Sequence, residues 1–164
     1  MKQKTLYLMC GVPGSGKSYI AKHLNYIAKH LNQDIVYRSR DDIRFSLIGE
    51  NATEKEYFSK EVEVFDIFIM QIQNTLNLNV DVIADATHIN WVSRKKILNK
   101  LNLDGVRVVP IVVKASYDTC VKRNNNRNGL KKVPNTVIKR MINNYTDPKD
   151  DPFNYAGYIY ISNE

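Results

Sequence analysis

Short apolar runs alternate with stretches of helical periodicity along the whole chain. Thr5–Cys10, Ile35–Arg38, Val82–Ala84, Arg107–Val113 and Tyr158–Ile161 read as strands. The intervals read as helices over Lys17–Leu31, Asp42–Leu47, Thr53–Leu76, Asn90–Leu101, Tyr117–Asn124 and Pro134–Tyr145. This order predicts an α/β fold with a mostly parallel sheet of about five strands and helices on both faces. The longest helix opens on a capping box, Thr53-Glu54-Lys55-Glu56, and carries Phe65, Phe68, Ile69, Ile72 and Leu76 on one face as a core stripe. Pro110 falls inside a strand and predicts a bulge or a local break. Ala-Lys-His-Leu-Asn occurs at 21–25 and again at 28–32, on one helix face, which puts His23 and His30 at the surface rather than in a repeat fold. The polar, basic segment from Asn124 to Lys132 resists regular helix and reads as a mobile loop between two helices. Tyr155, Tyr158 and Tyr160 read as packing for the last strand and its edge.

Composition narrows the setting. A chain of 164 residues with 43% apolar and 25% charged positions predicts a single soluble globular domain spanning 1–164. No apolar run reaches the length of a membrane span, and the first residues lack a signal-peptide core. Cys10 and Cys120 stand far apart without metal-ligand spacing, which predicts a cytoplasmic protein without disulfides. The net charge is +7, and it is uneven: Lys114 to Arg140 holds eight Lys/Arg against Asp118 alone, while Glu50 to Glu63 is acidic. Such a surface attracts phosphates, whether of free nucleotides or of nucleic acid.

The sharpest chemical signal follows the first strand. Gly11-Val12-Pro13-Gly14-Ser15-Gly16-Lys17-Ser18 is a complete G-x-x-x-x-G-K-[ST] phosphate-binding loop between an apolar run and a helix start at Tyr19. Its glycines allow successive backbone amides to turn inward on a nucleotide phosphate. Lys17 then reaches the β/γ oxygens, and Ser18 provides a hydroxyl for Mg²⁺. The loop alone points to ATP or GTP with Mg²⁺, and the cofactors expected for the reaction read below are ATP and Mg²⁺.

Three further groups bear on the reaction. Arg38-Ser39-Arg40-Asp41-Asp42-Ile43-Arg44 follows the second strand, where ligands of open α/β sheets gather. Asp41 and Arg44 stand three apart, either as proton acceptor and anion holder or as an N-cap with a surface ion pair. Asp85 ends the third apolar strand, either as a carboxylate near Mg²⁺ or as a turn cap, with His88 as a weak acceptor contact. Arg123 and Arg127 straddle the start of the basic loop, either as charges that a closing loop brings to the transferred phosphate or as solvated surface charge.

Together these segments resemble the kinase domain of the polynucleotide 5′-hydroxyl kinases of phage-type and bacterial RNA repair. The resemblance runs from Leu6 to about Tyr145. It rests on the phosphate loop, on R-D-D-x-x-R at Arg40–Arg44 and, most specifically, on Val121-Lys122-Arg123-Asn124 with Arg127 and Val133-Pro134. It implies a three-layer P-loop NTPase fold with a lid near 124–133. It also implies that Asp41 is the general base, that Arg44 holds the phosphate on the 3′ side of the acceptor, and that Arg123 and Arg127 contact the nucleotide and its phosphates. Asp85-Ala86-Thr87-His88 follows the D-A-T-N form of bacterial relatives with His in place of Asn, and the lid carries an extra residue near Asn128-Gly129. No phosphatase or ligase domain accompanies the kinase-like segment.

The reaction expected is transfer of the ATP γ-phosphate to the 5′-hydroxyl of an RNA or DNA end. The alternatives are a kinase of a small hydroxylated metabolite, nucleoside or antibiotic, and a nucleotide-dependent switch ATPase. Neither N-K-x-D nor L-S-G-G-Q occurs, which argues against a GTPase switch or a transporter ATPase.

Overall fold

The computed structural model describes residues 2–164. Strands β1 (Thr5–Cys10), β2 (Ile35–Ser39), β3 (Asp81–Asp85), β4 (Arg107–Lys114) and β5 (Ile159–Ser162) form one sheet in the order β2-β3-β1-β4-β5. Every neighbouring pair is parallel. Parallel neighbours require long crossovers, and these carry α1 (Lys17–His30), α2 (Arg40–Ile48), α3 (Glu54–Ser59), α4 (Glu61–Asn77), α5 (Trp91–Leu98), α6 (Tyr117–Asn125) and α7 (Asn135–Asn143).

Alternation along the strands sorts the core into two faces. Leu6, Leu8, Val82 and Ala84 pack on Phe68, Ile72 and Leu76 of α4. Met9, Ile83, Ile111 and Val113 pack on the α1 side, around Ala21. The apolar stripe read from the sequence is thus core, each fully buried side chain contributing about 2 kcal/mol. The chain crosses from β1 to the outer β2, returns to β3 beside β1, and then leaves for β4 on the far side of β1. Ligands of such sheets bind where the strand order reverses, outside the carboxyl ends of the strands. Register brings those ends level: Ser39 faces Asp85, and Leu8 faces Ala84.

Three expectations need correction. The helix read as Thr53–Leu76 is two helices that meet at Lys60 (φ −97°, ψ 2°). The capping box at Thr53 forms as expected, but Ser59 turns its hydroxyl onto the Glu56 carbonyl (2.9 Å), competing with the next helical turn. The break starts α4 at Glu61, which pairs with two arginines described below. Pro110 lies in an unbroken strand, opposite Leu8. Val108 and Lys114, even-numbered like Pro110, offer their carbonyls toward the β5 side, and the β5 ladder begins only at Ile111. The missing N–H of Pro110 therefore points where no ladder partner is required. Finally, the basic segment is more ordered than a plain loop. Asn124 is buried and clamps its base, donating from Nδ2 to the Val133 carbonyl (2.7 Å) and accepting at Oδ1 from the Val133 amide (3.0 Å). A 3₁₀ turn at Gly129–Lys131 lies between.

Strand β1 and the starts of α1, β2, β4 and α6 fall where expected, other boundaries move by one to three residues, and β5 starts at Ile159 rather than Tyr158. Tyr155 is buried, whereas Tyr158 and Tyr160 lie at the sheet edge. His23 and His30 are exposed on α1, beside Tyr19 and Tyr26.

Candidate active site

The loop from Gly11 to Ser18 leaves β1 at the carboxyl edge of the sheet and runs into α1. Gly14 (φ 83°) and Gly16 (φ 89°) adopt left-handed backbone that side chains disfavour. Space enforces the same choice, since a Cβ at Gly14 would strike the Cys120 carbonyl of α6 and one at Gly16 the Asn163 side chain. The Gly11 amide is tied to the Thr87 carbonyl (2.8 Å) and the Ser15 amide to the Val12 carbonyl (3.1 Å). On the outer side, Arg123 Nη1 donates to the carbonyls of Gly14 (3.3 Å), Ser15 (3.3 Å) and Asn163 (2.8 Å), and Asn163 Nδ2 adds a bond to Ser15 (3.0 Å). A trans peptide sets each N–H opposite the preceding C=O, so holding the Ser15 carbonyl outward turns the Gly16 amide inward. Val12 packs below the loop against Ile89, Cys120 and Ile138. Pro13, Lys17 and Ser18 line the cleft, while the Tyr19 side chain faces solvent.

Lys17 reaches across the floor to Asp85. Its Nζ lies 3.1 Å from Asp85 Oδ1 and 3.4 Å from Ser18 Oγ. The Tyr37 hydroxyl of β2 donates to the other carboxylate oxygen, Oδ2. Asp85 caps no turn with its carboxylate, which removes that alternative. Burial pushes its carboxyl up, but the Lys17 charge and the donors of Ser18, Tyr37 and Lys17 outweigh it and hold it below the ordinary carboxylate range. Asp85 is thus a buried anion with both oxygens occupied.

The next wall is the start of α2. Ser39 is its N-cap, accepting from the Asp42 amide (3.2 Å), so Asp41 is free of the capping role considered for it. Asp41 is exposed to the cleft and accepts from Arg44 Nη1 at 2.7 Å. Arg44 is only 5% exposed; its Nη2 donates to Glu61 Oε1, and the Tyr57 ring lies 4.5 Å from its guanidinium carbon. Arg40 Nη2 donates to the other oxygen of Glu61 at 3.1 Å. The opposite wall is the lid segment, where Arg127, Leu130 and Lys131 face the same cleft of about 270 Å³. Lys131 spans it, 5.4 Å from the Phe45 ring and 3.9 Å from Glu50.

The structure therefore gathers Lys17, Ser18, Asp41, Arg44, Asp85 and Arg127 around one cleft. Arg123 does not line it and holds the back of the phosphate loop instead. His88 is also outside. It is buried, with Nδ1 2.8 Å from the Met9 carbonyl, and burial pushes its pKa down to about 4 despite that bond. An acceptor contact by His88 is corrected on this geometry. Its carbonyl takes a bond from the fully buried Arg94 (2.9 Å), which is itself held by Asp151 at 2.6 and 2.8 Å. Sequence reasoning missed Tyr37, Arg40, Tyr57 and Glu61 as cleft or cleft-supporting residues. The role of Tyr37 emerges only from the register of β2 against β3, and nothing local marked Glu61 inside an apparently continuous helix.

A family model described as an AAA domain matches residues 6–148. Among solved structures, the chain superposes on one in the Pnkp1/Rnl/Hen1 RNA repair complex with a TM-score of 0.71 and 22% identity, over 88% of this chain. It spans only 44% of that chain. Kti12 from Chaetomium thermophilum, solved with ADP-AlF3, matches at a TM-score of 0.68 and 16% identity, covering 96% of this chain and 88% of that one. A sugar kinase from Janibacter sp. HTCC2649 matches at 0.62 and 13%, covering 98% and 86%. At these identities the likeness concerns the fold, which is that of the P-loop kinases. The match over residues 6–148 places the chain in the AAA domain family.

Proposed function

We propose that this protein is an ATP-dependent kinase that moves the γ-phosphate to the 5′-hydroxyl of a polynucleotide, at an RNA or DNA end. The observation that carries the reading is Asp41, an exposed carboxylate steadied by Arg44 at 2.7 Å in the same cleft as Lys17 and Ser18. An acceptor hydroxyl between them gives up its proton to Asp41 as its oxygen bonds the γ-phosphorus. The bond from that phosphorus to the β,γ-bridging oxygen breaks, and ADP leaves. The loop from Gly11 to Gly16, with the first amides of α1 through Tyr19, cradles the donor phosphates, and Lys17 meets their charge. Arg127, exposed on the lid near 124–133, meets the charge that spreads over the transferred group. Arg123 serves the nucleotide by fixing the outer carbonyls of the loop.

The donor set near Lys17, one hydroxyl and one ionised carboxylate, suits a hard cation. Ser18 and Asp85 are the residues that would hold Mg²⁺, and the ion neutralises phosphate charge when bound. The match to a chain of an RNA repair complex agrees with a nucleic-acid acceptor. The matches to a sugar kinase and a gluconokinase favour a second reading, a small hydroxylated acceptor.

The test is direct. γ-Labelled ATP and Mg²⁺ are incubated with 5′-OH oligoribonucleotides, 5′-OH oligodeoxynucleotides, nucleosides and sugars. Label is expected on the oligonucleotides, and label on small molecules alone overturns the reading. Asp41→Asn should lower turnover by about 10²- to 10⁴-fold while leaving ATP affinity intact. Equal activity in that variant removes Asp41 as the base.

A further inference from the structure

Glu61 is a charged group at the acceptor end of the cleft that the reaction above leaves without a task. Its position is unusual. One carboxylate oxygen accepts from Arg44 Nη2 and the other from Arg40 Nη2, so a single anion bridges two guanidinium groups. The Nε atoms of both arginines are buried without a partner, and Arg44 itself is more than nine-tenths buried. Each guanidinium thus has donor capacity that Glu61 does not use. The Tyr57 ring over Arg44 and the Phe65 ring 5.5 Å from Arg40 pack on the two cations, and both arginines line the cleft. Two cations held in this way are a receptor for a tetrahedral or planar oxyanion, and a carboxylate already fills it.

We propose that Glu61 is a built-in stand-in for the anionic group of the acceptor, and that a phosphate on the acceptor takes its place on Arg40 and Arg44. This deepens the kinase reading, on which it rests, and makes the acceptor class one that carries an oxyanion next to its hydroxyl. Charge forces the exchange. Arg40 and Arg44 are balanced by Asp41 and Glu61, so an arriving phosphate meets no net attraction while both carboxylates stay. Asp41 has to remain, because it takes the proton. Glu61 is free to yield, since its side chain is 39% exposed and it sits on the first turn of α4, just past the break at Lys60. When it swings to water, two charge-assisted bonds are lost and two equivalent ones form with the phosphate. A neutral acceptor offers no such replacement, and Glu61 stays in its way. The exchange also weakens acceptor binding by the fraction of time the arginines are occupied.

The experiment holds the phosphate loop saturated with ADP and Mg²⁺ and measures calorimetric binding of a nucleoside 3′-phosphate, the same nucleoside, and inorganic phosphate. Glu61→Gln should bind the nucleoside 3′-phosphate and inorganic phosphate about tenfold more tightly than the parent, with nucleoside affinity unchanged. Glu61→Asp, too short to bridge both arginines yet still charged, should fall between them and guards against a folding defect in the first variant. Equal or weaker phosphate binding in both variants, or an equal change for phosphate and nucleoside ligands, overturns the proposal. Oligonucleotide phosphorylation with phosphate affinity unchanged in Glu61→Gln sinks the exchange alone. Tighter phosphate binding in a protein that labels no oligonucleotide sinks the polynucleotide reading and leaves the exchange standing.

Discussion

Asp85 illustrates how a single carboxylate is made useful by its neighbours. A buried aspartate without partners would take up a proton, but Lys17 on one oxygen and Tyr37 on the other keep it charged and fix its plane. Tyr37 is the partner that stays put, because it belongs to β2 and its pKa is itself raised by burial and by the Asp85 charge. Lys17, on a flexible stem, is the one able to turn toward phosphates. Tyr37→Phe should therefore raise the Mg²⁺ concentration needed for half-maximal tightening of ADP binding by about tenfold, with Mg²⁺-free ADP affinity unchanged. An unaltered Mg²⁺ titration by nucleotide fluorescence or calorimetry would remove Tyr37 from that role. The contrast with sequence reading is instructive at this scale. Asp85 was legible because it ends β3, and Lys17 and Asp41 because they open the helices that follow β1 and β2 at the ligand edge. Tyr37 was hidden because a tyrosine two residues inside a strand looks like core, and its hydroxyl is recognised only once the register sets β2 against β3.

Elements reach the cleft through junctions, and the junction after β3 carries most of the load. His88 sits there with φ 42°, a backbone conformation uncommon outside glycine, and three bonds hold it: its ring to the Met9 carbonyl, its carbonyl to Arg94, and the neighbouring Thr87 carbonyl to the Gly11 amide. The phosphate loop thus hangs from the end of β3 as much as from β1. The buried ring must be neutral, which ties this junction to pH. Its folded pKa, about 4, lies below the unfolded value near 6.5, so the unfolded chain holds more protons between those values. Stability from this group is complete above pH 6.5 and is lost as pH falls toward 4, with about 3 kcal/mol at stake. Asp85 and Asp147, whose carboxyls are lowered, act at still lower pH and do not fill that window. Urea unfolding across pH 7 to 4 should show a shallower acid slope in His88→Gln than in the parent, and parallel slopes would exclude His88 as the titrating group. Helix and strand identities were readable from periodicity, whereas the α3–α4 break was not. Apolar spacing continues through Ser59 and Lys60, and the turn there sets Glu61 against Arg40 and Arg44, contacts that no local pattern reveals.

At the scale of the molecule, the order of elements along the chain gave the fold class, because only parallel crossovers fit alternating strands and helices. The lateral order β2-β3-β1-β4-β5 was out of reach, since periodicity says nothing of which strand lies beside which. Charge, by contrast, is readable in bulk and gains meaning from the fold. Among the described residues, Lys131 is the only one of the eight Lys/Arg between Lys114 and Arg140 that makes an ion pair, and that one is long at 3.9 Å. Arg127 and Lys131 are exposed on the lid where it lines the cleft, and Lys132 is exposed next to them. These exposed cations form the approach for an anionic strand, whereas Arg40 and Arg44 are already neutralised inside. A strand that contacts three of them releases counterions, so the logarithm of kcat/KM should fall with the logarithm of salt at a slope near −2. A nucleoside acceptor, with no backbone phosphates, should give a slope near zero in the same buffers at constant Mg²⁺. Replacing Lys131 and Lys132 by glutamine should flatten the oligonucleotide slope by about 1.4 and leave the nucleoside rate unmoved. If both acceptors respond to salt alike, the effect lies with the donor nucleotide, and the basic lid is surface charge without a strand to guide.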